Sequence, residues 1–424
     1  MNYRCPGCGN TMEFSPSDQK MYCIYCGSKH TVEELNAMLG RTGLYEGSGN
    51  SENLSYDAES DTRESIIAEE AVLQQKQAER AHASIQMKIL HCNSCGAELA
   101  VNSVESSSFC VYCGQATVVM DRVEDYLQPD YLIPFKITKE QAEVMIRSRL
   151  SQGHYIPEEI KNFKVDKLRG IYVPFWLYDM YYKDDQYWKY SVKRGKSRVT
   201  RFAERRGNCQ FERLTLDASK NLNDDSSQRL EPYNMRELQA FDPAYLSGFY
   251  SDRFDMGTSD LDGLAFRRAK DLFDENMKNS VRHGDAKLVS CSPECLVTKR
   301  EYALLPVWFL TFRYEEMPYT IMVNGQTGKM VGAVPFDKKK AYLRFAALAI
   351  LFCVVFAVIG AFLTPLIIEK FDDGKMFATY FMVIGIALYS TWSGAIKKYK
   401  AMMVSIGLTT SGKTSRFVRE RAGD

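Results

Sequence analysis

Ile171-Tyr172-Val173-Pro174-Phe175-Trp176-Leu177-Tyr178-Asp179-Met180-Tyr181-Tyr182 is dominated by aromatic and β-branched residues, the types that suit a pleated, half-buried surface. It reads as a strand. Downstream, Leu305-Pro306-Val307-Trp308-Phe309-Leu310 echoes its Val173–Tyr178 portion. Each copy is followed by an acidic turn and another strand, so two similar hairpins paired in one sheet are expected. A proline before aromatic and aliphatic residues is also a common strand opening, and the echo by itself does not separate duplication from coincidence. Further strands are expected over 187–192, 209–216, 304–314 and 319–323. Thr138 with Gln141 three positions on predicts a capping box opening a helix through Leu150, and residues 261–281 carry a second amphipathic pattern. Residues 126–337 are therefore expected to form an α+β domain on an antiparallel sheet.

Outward from this block, the 424-residue chain is too long for one core and reads as multidomain. Its net charge of +1 excludes a protein that coats polyanions through global charge and leaves only local patches to consider. Residues 1–10 hold no apolar run of the signal-peptide kind, so the front half is expected in the cytosol. Eight of the twelve cysteines fall in Cys-x-x-Cys pairs: Cys5, Cys8, Cys23 and Cys26, then Cys92, Cys95, Cys110 and Cys113, with equal gaps in both sets. In a long chain without an export signal, that repeat points to metal and not to disulfides.

Four thiolates in two such knuckles suit tetrahedral Zn(II) at about 2.3 Å per bond, with redox dithiols or an iron cluster as the other chemistries of this spacing. Glycine follows the second cysteine of each pair at Gly9, Gly27, Gly96 and Gly114, giving freedom for backbone amides to approach the sulfurs. A site closed by four protein ligands has no position left for water, so the two ions are expected to be structural. The domain plan is a zinc ribbon at 1–39, a flexible linker and solvated helical spacer at 40–88, and a second ribbon at 89–122.

Residues 345–368 contain no charge and fifteen Leu, Ile, Val or Phe, and residues 376–396 are likewise uncharged. Each is long enough to span about 30 Å of hydrocarbon, so 342–396 is expected to be a transmembrane helical hairpin. Lys338, Lys339, Lys340 and Arg344 precede it and Lys397, Lys398 and Lys400 follow it, which predicts both termini on the cytoplasmic side of the plasma membrane. Residues 397–424 form a basic tail. Within it, Gly407-Leu408-Thr409-Thr410-Ser411-Gly412-Lys413-Thr414 fits the phosphate-loop pattern, but ten residues after Thr414 leave no room for the sheet and carboxylate that a nucleotide site needs.

Residues 189–213 carry nine basic and two acidic residues. Lys189, Lys193, Arg194, Lys196, Arg198, Arg201, Arg205 and Arg206 form a candidate anionic-surface-binding patch, with Tyr190, Phe202 and Phe211 interleaved. A solvated hairpin face, a lipid bilayer and a nucleic acid all remain open as its meaning. The ribbons disfavour nucleic acid, since residues 1–39 carry three basic against four acidic residues and 91–125 one against five. Cys291 and Cys295, with His283 upstream, lack a clear fourth ligand and read as loop thiols. The scattered histidines form no catalytic constellation.

Gly170-Ile171-Tyr172-Val173-Pro174-Phe175-Trp176, Glu231-Pro232-Tyr233, Ala244-Tyr245-Leu246-Ser247-Gly248-Phe249-Tyr250 and Asn324-Gly325-Gln326-Thr327-Gly328-Lys329, with the ribbons and the apolar hairpin, resemble a family of bacterial membrane-anchored TFIIB-type zinc-ribbon proteins. Members are often labelled primosomal helicase-like. The resemblance implies a membrane protein associated in some relatives with membrane-stress complexes of the phage-shock and SPFH type. The helicase label does not transfer, because a helicase needs two motor domains. The doubled ribbon departs from relatives with one. The functional expectation is a non-enzymatic adaptor for cytosolic or membrane-associated proteins at the inner membrane face. The alternative is a membrane-tethered nucleic-acid-binding protein.

Overall fold

Short strands around Cys-Gly turns begin the chain. In the computed structural model, β1 (Met12–Ser15), β2 (Lys20–Cys23) and β3 (Lys29–His30) make a three-stranded antiparallel sheet, closed by helix α1 (Val32–Met38). Thr31 and Glu34 cap α1 reciprocally, satisfying two amides that the first turn would otherwise leave open. The structure describes residues 3–40, 84–101, 110–113, 118–151, 156–162, 167–195, 197–219 and 224–332 apart from 253, 255, 257, 315 and 316, and beyond these only scattered residues up to 394.

The remaining strands join one twelve-stranded sheet. In chain order they are β4 (Ser84–Cys92), β5 (Glu98–Val101), β6 (Val118–Leu127), β7 (Tyr131–Leu132), β8 (Leu168–Arg194), β9 (Ser197–Asp217), β10 (Gln239–Ala240), β11 (Tyr250–Ser251), β12 (Lys287–Cys291), β13 (Glu294–Tyr314), β14 (Met317–Asn324) and β15 (Met330–Gly332). Helices α2 (Lys139–Ser151), α3 (Glu158–Lys161), α4 (Asp224–Leu230) and α5 (Thr258–Val281) pack around it. The capping box between Thr138 and Gln141 is present at the start of α2. In α5, Leu261, Ala265, Ala269 and Phe273 recur every four residues and bury against Tyr178, Met180 and Tyr182 of β8 and Leu214 and Leu216 of β9.

β8 is the spine. β13 pairs antiparallel along Leu168–Lys183, and β12 continues that side beyond it. The gap between β12 and β13 falls at Ser292-Pro293: Ser292 N donates to Asp184 Oδ1 at 2.7 Å, and Pro293 has no amide to offer the ladder. The two echoed segments face each other in this pairing, with Val173 opposite Leu305 and Pro174 opposite Leu304. The expected α+β class holds, but the sheet is mixed, since β11 runs parallel to β8 and β7 parallel to β13.

Three further expectations change. The strands read at 171–182 and 187–192 are one strand, and Asp184-Asp185 between them is no turn. Asp184 is buried, with its carboxylate accepting from Gln186 Nε2 at 2.7 Å and from Ser292 N, so the charge is satisfied inside the sheet. Residues 84–88, read as the end of a helical spacer, are strand, because Ile85, Met87 and the following Ile89 alternate inward while Ser84 and Gln86 face out. The second ribbon is therefore no separate domain: β4, β5 and β6 are the end of the main sheet, joined to it where β5 pairs with β11. Residues 41–83 and the tail with its phosphate-loop-like octapeptide lie outside the described residues, and so does most of 342–396. Among the described residues no helix is long and apolar enough to cross a membrane. Leu343, Ile350, Leu351, Val354, Val355 and Val358, all helical, are exposed apolar side chains.

Candidate metal centres

The sequence-predicted ligands converge as two separate quartets. In each, every ligand atom lies within 4.8 Å of the others. A tetrahedron with metal–sulfur bonds of about 2.3 Å has sulfur–sulfur edges of roughly 3.8 Å. The closest pairs come near that value: Cys5 to Cys26 and Cys8 to Cys23 are 3.5 Å apart, and Cys92 to Cys113 and Cys95 to Cys110 are 3.7 Å apart. The thiol sets thus fit an ion apiece. Each described knuckle ends in a left-handed glycine, with φ of 76° at Gly9, 75° at Gly27 and 73° at Gly96, whose amide returns to the carbonyl of the first cysteine. Gly114 lies outside the described residues.

In the first quartet, Cys5 and Cys23 are buried, while Cys8 and Cys26 are exposed. The Ser28 hydroxyl lies 3.0 Å from Cys5 Sγ and 3.2 Å from Cys26 Sγ. That hydrogen bond, with the backbone amides of Cys8 and Gly7, brings the Cys5 thiol down to about 6, favouring the thiolate a metal requires. Nothing in the sequence signals Ser28 beyond its place after the Cys-Gly turn. This ribbon is seated on the body, while its Cys8 and Cys26 face out. Tyr3 donates its phenol to Asp242 Oδ1 at 2.8 Å, Phe14 meets Tyr245 edge-on at 4.9 Å, and Gln19 Nε2 donates to Phe135 O at 2.7 Å.

The second quartet is deeper. Cys92, Cys110 and Cys113 are buried within a cluster shared with Phe175, Leu305 and Phe309 of the sheet. Hydrogen bonding from the neighbouring thiols of Cys113 and Cys95, together with burial, raises the Cys110 thiol, so a cation bound there must displace its proton. Between the last two ligands, Tyr112 donates to Asp252 Oδ2 at 2.5 Å, and the Thr311 hydroxyl donates to Val111 O. These ties to residues 140 and 200 positions away were invisible in the cysteine spacing.

The basic residues lie on the β8–β9 hairpin but are divided between its faces. Lys193 pairs with Arg198 and Lys189 with Phe202, and Lys287 of β12 lies across from Lys189. On this open face Lys189, Lys193 and Arg198 are exposed and have no ion pair to a described residue, and Phe202, opposite Lys189, is 65% exposed. Nearer the body the same face is neutralised: Arg206 bonds Glu204 at 2.5 Å and lies 3.7 Å from Asp185. Arg194 and Arg201 share the other face with Tyr190, and there Arg205 Nε donates to Ser280 Oγ of α5 at 3.1 Å. The Lys196 side chain lies outside the described residues. The candidate patch is thus smaller than the sequence count and gains Lys287, for which the sequence held no signal.

Cys291 and Cys295 flank the break between β12 and β13, and His283 stacks on Tyr190 at 4.2 Å. These three are not brought together. No protein-family model matches the chain, and no solved structure matches it. It is similar to the uncharacterized protein YdjG of Bacillus subtilis (strain 168), 26% identical over 369 residues that cover 82% of this chain and 94% of that protein.

Proposed function

We propose that the chain is a non-enzymatic, membrane-anchored adaptor: two structural Zn(II) ions stiffen a protein-binding body held at the inner face of the plasma membrane. The carrying observation is that both thiol quartets are complete and wired into the body's core, while the first points its metal knuckles outward. Four thiolates close the coordination shell, so each ion braces a surface and leaves no place for a water nucleophile. Zinc suits such all-sulfur tetrahedra and needs no redox partner. The uncharged runs at 345–368 and 376–396 supply the anchor, and the exposed apolar side chains from Leu343 to Val358 suit a lipid-facing helix. The family resemblance adds a membrane-stress assembly as the setting.

Native-level membranes washed with high salt and alkaline carbonate, then dissolved in detergent, test this reading. The expected result is a chain that stays with the membrane pellet, carries two zinc ions and co-purifies with defined protein partners. Release by the wash, absence of zinc, or a chain that emerges alone overturns it.

A second reading, nucleic-acid binding by the hairpin, draws on the open face of Lys189, Lys193, Arg198 and Phe202, since cations on the same face as an exposed aromatic suit a stacked single strand. The position of that face favours a partner away from the bilayer. Lys340, just ahead of the first apolar run, lies 4.0 Å from Glu158 of α3, and α3 packs through Ile160 into the cluster that holds Leu168. The basic tip is at the other end of β8, which at about 3.3 Å per residue extends on the order of 80 Å.

A further inference from the structure

The two quartets carry the same second knuckle, Cys23-Ile24-Tyr25-Cys26 and Cys110-Val111-Tyr112-Cys113, in opposite surroundings. In the second, Val111 and Tyr112 are 4% and 5% exposed. The Tyr112 ring meets Phe309 edge-on at 5.7 Å, its hydroxyl donates to the Asp252 carboxylate, and the Val111 carbonyl accepts from Thr311. In the first, Ile24 and Tyr25 are 56% and 70% exposed. The first ribbon cannot turn to bury them against its own body, because its other side is already fixed through Tyr3, Phe14 and Gln19.

We infer that the Ile24–Tyr25 knuckle is a docking surface for a protein partner that presents what the body presents to Val111 and Tyr112: a sheet face with an aromatic ring beside a carboxylate that accepts the Tyr25 phenol. The occupant's chemistry is read from this chain's own filled copy of the interface. Two bulky side chains held on a metal-braced turn lose little freedom on binding, which is how a small rigid surface reaches useful affinity. A second copy of the chain is a poor occupant, since its matching sheet site is filled by its own Val111 and Tyr112.

This inference rests on the adaptor reading and specifies the surface. In full-length protein at native level, a photoreactive phenylalanine analogue is placed at position 25 and, separately, at position 112. Position 25 is expected to crosslink to one discrete protein, at a segment bearing an aromatic residue next to Asp or Glu, and position 112 to crosslink within the chain. With that captured protein purified, Tyr25→Phe should weaken binding roughly tenfold or more, as loss of a hydrogen bond to a charged acceptor does. Ile24→Ser with Tyr25→Ser should abolish binding while two zinc ions per chain remain. Crosslinking from position 25 only to lipid, only to another copy, or to nothing overturns the inference. If the double variant keeps every partner of the wild type, the knuckle assignment fails and the adaptor reading stands. If the wild type has no partner, both fail.

Discussion

Gly170 and Gly207 lie on the paired strands β8 and β9, yet an added methyl group meets different neighbours at the two. At Gly170 it would lie 2.6 Å from Phe249 Cδ1 and 3.2 Å from Phe135 Cζ, two rings stacked 4.2 Å apart in the core. Both rings are buried. Gly170→Ala should therefore lower stability by about 1–3 kcal/mol, read as a lower midpoint in denaturant at an unchanged slope. At Gly207 the methyl group meets the terminal methyl of Met277, the flexible end of an adaptable side chain. Gly207→Ala should change stability by less than about 0.5 kcal/mol, because relief of the glycine's entropy cost in a strand offsets the shift of Met277. Equal effects in the two variants would contradict this packing. In the sequence neither glycine announces its neighbours, since the Phe249 ring behind Gly170 comes from a segment some eighty residues away and the Met277 methyl behind Gly207 from one seventy residues away.

At the scale of elements, the two ribbons are equal in spacing and unequal in support. The first has its own three-stranded sheet and two exposed ligands; the second is the corner of the main sheet with three buried ligands. A chelator added in excess to the zinc-loaded protein should therefore remove metal in two phases of one ion each, the faster from Cys5, Cys8, Cys23 and Cys26. Cys8→Ser should abolish the fast phase and leave the body's unfolding temperature nearly unchanged. Cys110→Ser should abolish the slow phase and lower that temperature by several degrees, given the roughly 2–4 °C per kcal/mol of a body this size. A single phase, or equal thermal effects, would refute the asymmetry. The eight cysteines and their grouping into two quartets were legible because a tetrahedral thiol site restricts local spacing. The asymmetry was not legible, because it depends on Asp252 and Thr311, which nothing near the cysteines announces. The helical reading of 84–88 failed because a few polar, helix-favouring residues outweighed the short alternation of Ile85, Met87 and Ile89.

Across the whole molecule, β8 joins the end near the expected anchor to the end carrying exposed positive charge, so any polyanion should engage the tip alone. Replacing Lys189, Lys193 and Arg198 with Gln should leave zinc content and unfolding temperature unchanged. If the hairpin binds single-stranded nucleic acid, anisotropy titrations at several salt concentrations should show affinity lost in the variant and a salt slope smaller by about 2, the share of three phosphate contacts. No binding by the wild type at low salt removes the nucleic-acid reading. By itself the sequence determined the two cysteine quartets, the class of the central domain, its main strands and helices, and the uncharged runs, because each is written in spacing or periodicity over a few neighbouring residues. Only the tertiary structure decided that the second ribbon is an edge of the main sheet, that one strand spans both expected strands, that the basic residues divide between two faces, and that one copy of the Tyr knuckle is covered while the other is open. Those outcomes depend on partners brought from distant parts of the chain, and whether a side chain is buried is a property of what covers it.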